Sequence, residues 1–200
     1  SCETAIEKIN EKSLLVICDT HNPDFVDSKA LYEAAKTVVI IDHHRKMVNH
    51  IDNAVVFFHE PFASSTSEMA TELIQYFGSE CKISICDAEA LLAGIMLDTK
   101  NFVMRSGART FEAAAHLKKL GADTVAVKNL FSDTLNTYRE KSILIQSATL
   151  FHACAIATTE SEAPELRLAA PQAADELLGI IGVKASFVIY RMDGICHISA

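Results

Sequence analysis

The sequence predicts an α/β chain: a parallel-sheet domain with helices on both faces, followed by part of a smaller α/β domain. Three observations carry this. Leu14–Leu15–Val16–Ile17–Cys18 and Val38–Val39–Ile40–Ile41 are short apolar runs rich in β-branched residues, and each stops on an acid, Asp19 and Asp42. Such runs are long enough to cross a sheet and too short for a lone helix. Between them, Ser28 to Ala35 supplies one helix's worth of residues, so the unit reads β–α–β with parallel strands and a right-handed crossover. After Thr137 the texture changes to short strands, a polar loop and a hairpin, which divides the chain into residues 1–137 and 138–200.

The elements follow in order. Asn22–Pro23 breaks the chain after the first strand. Val55–Phe58 reads as a short third strand. Ser65 followed by Glu68 fits a capping box, and Met69, Leu73, Ile74 and Phe77 then recur at helical spacing until Gly78. Asp87–Leu97 is nearly all apolar, which predicts a central helix ending on Asp98–Thr99–Lys100. Thr110–Leu120 is amphipathic and closed by Gly121, and Asp123 is placed to cap the next helix. Tyr138–Leu150 carries Ile143, Leu144, Ser147 and Leu150 and predicts a connecting helix. Cys154–Thr158 is a strand, Glu160–Pro164 a polar loop, and Pro171–Gly179 a helix with proline in its first turn. Ala185–Arg191 and Ile195–Ser199 flank Asp193–Gly194 as a hairpin.

The bulk numbers narrow the function. At 200 residues, half of them hydrophobic, the chain has room for one full core and part of a second. No apolar run reaches the roughly 18 residues of a membrane span, and the charged Ser1–Asn10 is not a signal peptide. The opening on Ser1 and the close on strand-like residues at Ala200 read as those of an excised piece. A net charge of −8 argues against a broad surface for duplex nucleic acid, but not against a small phosphorylated substrate, because divalent cations reverse the local field. The six cysteines form no CxxC pair and several sit in apolar runs, which favours small reduced core residues of a cytosolic protein.

Asp19, Asp42, His43, His44 and Asp98 each follow an apolar segment. A single such acid is ordinarily a cap or a turn residue. Several segments ending this way are harder to explain so, since caps need no imidazole and buried carboxylates without partners are costly. A divalent cation is such a partner, and neutral imidazole with carboxylate suits zinc, manganese or iron. The β–α–β unit brings Asp19 and His43 to one edge of the sheet, where open α/β sheets bind ligands.

Asp19–Thr20–His21, Asp42–His43–His44 and Leu97–Asp98–Thr99–Lys100 together resemble the DHH phosphoesterase family. The stretches Glu60–Glu68, Leu97–Phe102 and Arg105–Phe111 further resemble the cyclic-di-AMP phosphodiesterases of bacterial membrane-anchored signalling proteins. The resemblance covers nearly the whole chain, with the part after Thr137 similar to the DHH-associated domain. It implies two manganese ions, with Asp19 bridging them and His43 and Asp98 completing the ligand set. His44 would lie by the substrate phosphate, with Asp42 holding an imidazole in orientation behind the ligands; His21, which follows the motif acid, either joins that support or faces solvent. The implied reaction is two-metal hydrolysis of a cyclic dinucleotide to its linear form.

Ser64, Ser65 and Thr66 are candidate donors to substrate, although helix capping explains them fully. Lys100, Arg105 and Arg109 are candidates for phosphate, with ordinary surface cations as the alternative. His50, His59, His116, His152 and His197 belong to no constellation. The family's first motif, a histidine with paired aspartates, has no counterpart here, nor has its glycine-rich substrate loop. The chain alone is therefore expected to bind metal poorly and turn over little. The resemblance also places the parent in the membrane with this module in the cytoplasm and no direct membrane contact of its own. A homodimer stays open. The alternatives are a related hydrolase of short oligonucleotides, 3′-phosphoadenosine phosphate or pyrophosphate, and a non-catalytic nucleotide-binding module.

Overall fold

The computed structural model describes residues 2–78 and 81–200. The chain divides into two units, Ser1–Phe131 and Ser132–Ala200. The predicted boundary residue Thr137 lies a few residues further on, inside a helix of the second unit.

The first unit opens with α1 (Cys2–Lys8) and β1 (Leu14–Cys18), followed by a 3-10 turn at Pro23–Phe25 and α2 (Lys29–Ala34). Strands β2 (Thr37–Asp42) and β3 (Val56–His59) complete a three-stranded parallel sheet in the order β1-β2-β3. Strand β2 is central, and its burial alternates, with Val38, Ile40 and Asp42 all inward. Asp42 is therefore in phase with the core side chains beside it. A period of two residues sends that carboxylate inside. Ile17, Val38, Ile40 and Ile51 form the apolar cluster along this sheet.

Four helices follow: α3 (Thr66–Phe77), α4 (Ile85–Asp98), α5 (Ala108–Lys119) and α6 (Thr124–Leu130). Ser65 caps α3 by accepting the Glu68 N–H at 3.0 Å, and Ser84 with Asp87 makes a reciprocal capping box on α4. Ala88, Leu92 and Ile95 of α4 pack with Ala113, Leu117 and Val127, as the apolar run predicted. A Cβ on Gly94 would stand 2.1 Å from Ser67 Oγ, so the missing side chain lets α4 come close to the first turn of α3.

The second unit runs α7 (Leu135–Ser147), β4 (Thr149–Phe151), β5 (Cys154–Thr159), α8 (Leu166–Leu178), β6 (Ala185–Met192) and β7 (Ile195–Ser199). Its sheet is mixed, in the order β4-β5-β6-β7, with β5 and β6 parallel. Asp193 and Gly194 both have positive φ, 53° and 77°, as a two-residue hairpin turn requires.

Three expectations are corrected. The helix expected over Tyr138–Leu150 starts at Leu135, behind the Thr134 cap, and ends at Ser147. Leu150 lies in β4, because Ala148 turns to extended backbone. Pro171 is inside α8 and not at its start. That helix begins at Leu166, where the apolar stripe Leu166, Ala169, Ala170, Ala173, Ala174 and Leu177 begins to face the core. The cysteines are free but none is buried. Cys18 shows why: β1 buries Ile17 and turns Leu14, Val16 and Cys18 to the open side.

Candidate metal centre

The ends of β1 and β2 are joined by one last backbone rung, in which Asp19 N–H donates to Ile41 C=O at 2.9 Å. Beyond it Asp19 turns into the left-handed region with φ 65°, a conformation that aspartate tolerates better than most residues. Its side chain is 58% exposed. His43 follows the inward Asp42 and is buried.

The ring of His43 is held from behind, with Nδ1 3.3 Å from the Ala63 carbonyl oxygen. In that orientation Nδ1–H donates, and Nε2 points forward between two acids. It lies 3.4 Å from Asp19 Oδ1 and 3.5 Å from Asp98 Oδ2. His43 Nε2 thus lies close to both acids, and with the ring proton on Nδ1 a cation makes that approach favourable. Ligand atoms at roughly 2.1 Å from a common ion stand about 3 Å apart, close to the separation of His43 Nε2 from each acid. Asp19, His43 and His44 also offer ligand atoms all within 4.8 Å of one another. The residues present therefore fit a divalent metal.

Asp98 is the last residue of α4, so a helix end and not a strand end brings it to His43. Burial raises its carboxyl above the usual range, and the Asp19 charge adds to this, while His43, His44 and Arg105 oppose it. The loop behind it is tightly wound. Lys100, Asn101, Phe102 and Arg105 all have positive φ, between 46° and 66°. Buried Thr99 holds this backbone: its Oγ1 donates to Ile95 C=O at 2.7 Å and accepts the Phe102 N–H at 2.9 Å.

Asp42 is the opposite kind of acid. Fully buried, it accepts His21 Nδ1–H on Oδ2, and the His44 N–H and Nδ1–H on Oδ1 at 3.1 and 2.8 Å. Burial pushes its carboxyl up, but these hydrogen bonds together hold it below the usual range. His21 is itself buried, and its Nε2 accepts the Met47 N–H at 2.9 Å. Both ring nitrogens of His21 are therefore committed within the protein. His44 is 55% exposed and is oriented by Asp42 through Nδ1. His59, which the sequence placed in no constellation, donates from Nε2 to the His44 carbonyl at 2.6 Å. The signal was in the strand register, which sets His59 beside Asp42.

The weaker candidates have partners of their own. Ser64 Oγ donates to Glu68 Oε2 at 2.5 Å, Ser65 caps α3, and Thr66 Oγ1 donates to Asp19 Oδ1 at 2.9 Å. Arg109 makes a two-point pair with Glu72, both bonds 2.8 Å, and lies 4.0 Å from Glu60 and Glu68. Lys100 is exposed on the wound loop. A cavity of about 690 Å³ opens beside the site and is lined by Asp19, His21, His44 and Arg45 together with Ile17 and Phe25.

The family model described as "DHH family, N-terminal domain" matches residues 2–95. Residues 2–95 carry the N-terminal domain of the DHH family. It is 44% identical over 200 residues to the cyclic-di-AMP phosphodiesterase PdeA of Listeria monocytogenes, covering 99% of this chain and 30% of that protein. It is 42% identical over 194 residues to the cyclic-di-AMP phosphodiesterase GdpP of Bacillus subtilis, covering 96% of this chain and 29% of that protein. The chain thus spans under a third of the length of these relatives. The crystal structure of an exopolyphosphatase-related protein from Bacteroides fragilis shares the fold, with a TM-score of 0.82 at 21% identity over 98% of this chain and 60% of that one. DHH phosphoesterases are metal-dependent, in keeping with the cluster around His43. None of the helices described is long and apolar enough to cross a membrane.

Proposed function

We propose that this chain is the metal-binding core of a phosphodiesterase that opens cyclic-di-AMP to the linear dinucleotide, using a pair of manganese ions. The observation that carries the reading is His43 Nε2, aimed between Asp19 Oδ1 and Asp98 Oδ2 at 3.4 and 3.5 Å. The relatives PdeA and GdpP are cyclic-di-AMP phosphodiesterases, which supports this substrate. Asp19, His43 and Asp98 would hold metal. When bound, manganese supplies a Lewis acid that activates water and neutralises phosphoryl charge.

The chain's own residues do the rest. Ala63 C=O fixes the His43 tautomer, so that Nε2 carries the free lone pair. Asp42 fixes Nδ1–H of His44 and leaves Nε2 outward, the atom suited to exchange a proton with the phosphate or the leaving ribose oxygen. Lys100, Arg105 and Arg109 are candidate cations for the substrate's phosphates, Arg109 while already paired with Glu72. The unit from Ser132 onward belongs to the DHH-associated substrate domain on this reading. The longer protein is membrane-anchored, with this module on the cytoplasmic side.

The test is hydrolysis of cyclic-di-AMP by the full-length gene product in Mn²⁺. The linear dinucleotide should appear, and both chelation and Asp19→Ala should abolish it. Undiminished activity in Asp19→Ala, or turnover confined to short oligonucleotides or pyrophosphate, would overturn the assignment.

A further inference from the structure

The first residue of α3 makes a contact that starting a helix does not require. Ser65 already supplies the cap. Thr66 instead donates its hydroxyl to Asp19 Oδ1 at 2.9 Å, across 47 residues of chain. Thr66 is buried, whereas most of the Asp19 side chain is open to solvent. The other polar atoms near Oδ1 are His43 Nε2 at 3.4 Å and His44 Nδ1 at 3.9 Å, both beyond ordinary hydrogen-bond length.

Asp19 needs an anchor of this kind. It stands on left-handed backbone past the end of β1, and an exposed carboxylate there would otherwise sample several rotamers. A hydroxyl suits the task because it occupies one lone pair without cancelling the charge. A lysine or arginine in the same place would neutralise the acid and compete with a cation. The close approach of α4 at Gly94 to Ser67, next to Thr66, seats the anchor in the wall from which Asp98 is delivered.

We infer that Thr66 is a positioning residue of the metal centre, its hydroxyl holding the Asp19 carboxylate in the orientation that receives a divalent cation. This rests on the metal reading of Asp19, His43 and Asp98 given above. Partners that orient ligands are typically worth about 10- to 100-fold in metal affinity.

The experiment is Mn²⁺ binding to the full-length protein, followed by loss of the free-ion EPR signal, for wild type, Thr66→Val, Thr66→Ser and Asp19→Asn. Thr66→Val should bind roughly ten-fold more weakly, while Thr66→Ser, which keeps the donor, should bind like wild type. The Mn²⁺ concentration for half-maximal turnover should rise in Thr66→Val, with KM for the nucleotide unchanged at saturating metal. If Thr66→Val does not fold, Thr66→Ala carries the same comparison. Wild-type affinity in the valine variant, or equal weakness in the serine variant, would remove the assignment and leave the metal reading standing. Equal binding by wild type and Asp19→Asn would remove both.

Discussion

Asp42 and Asp98 are the same side chain at the ends of two segments of one site, yet the fold treats them in opposite ways. Asp42 continues the inward face of β2 and accepts hydrogen bonds from His21 and from both the backbone and the ring of His44. These bonds hold it ionised against its own burial. Asp98 ends α4 half-buried, with its carboxyl pushed up by that burial and by Asp19, and with His43 Nε2 as its near neighbour at 3.5 Å. A satisfied acid is part of the architecture. An acid left short of partners, beside another acid, is where a cation gains most.

Exchanging each acid for its amide separates these roles, and the largest effect falls on metal affinity. Asp98→Asn should weaken Mn²⁺ binding more than the ~100-fold typical of supporting residues, with the unfolding temperature unchanged or raised because a part-buried charge that Asp19 opposes is gone. Asp42→Asn should do the reverse in rank. It places an N–H₂ against donors that were bonded to carboxylate and should cost about 2–4 kcal/mol of stability. EPR titration and thermal unfolding of both variants check this. A stability loss in Asp98→Asn as large as in Asp42→Asn would collapse the distinction.

His21 sharpens the comparison from the other side of the Asp42 carboxylate. His21→Ala leaves Oδ2 buried without its donor and opens a cavity, for about 2–3 kcal/mol. His44 still holds Oδ1, so Mn²⁺ affinity should fall much less than in Asp98→Asn. Urea unfolding alongside metal titration gives both numbers. Metal binding lost as fully as in Asp98→Asn would make His21 more than a support.

What was legible in the sequence follows the same division. The acids announced themselves because β-branched runs stopped on them, and one β–α–β unit was enough to bring Asp19 to His43. What was hidden lay across long separations. Nothing local joins Arg109 to Glu72, 37 residues away, or Thr66 to Asp19. Strand β4 was hidden for a different reason: Leu150 falls in helical phase with Ile143 and Ser147, and Ala148, where the backbone turns extended, carries no breaking signal. Pro171 misled because proline usually marks a first turn, whereas the alanine-rich stripe starts the helix five residues earlier.

The smallest effect comes from an acid that is satisfied within the other unit. Asp133 accepts Gln172 Nε2 at 2.8 Å and Lys141 Nζ at 3.1 Å, and the Gln172 bond chiefly, with Lys141, holds its carboxyl below the usual range. A depressed native pKa contributes stability that is complete above the unfolded value, near ~3.9, and is lost as pH falls through the lower native value. Asp133→Ala should therefore cost about 1 kcal/mol at neutral pH, and the gap in Tm from wild type should close on acidification below ~4. Mn²⁺ affinity should not move, since Asp133 belongs to the unit Ser132–Ala200 and the ligands to Ser1–Phe131. A gap that widens with acid would reverse the sign assigned to this carboxylate, and a change in metal affinity would show that satisfaction by hydrogen bonds does not mark a purely structural acid.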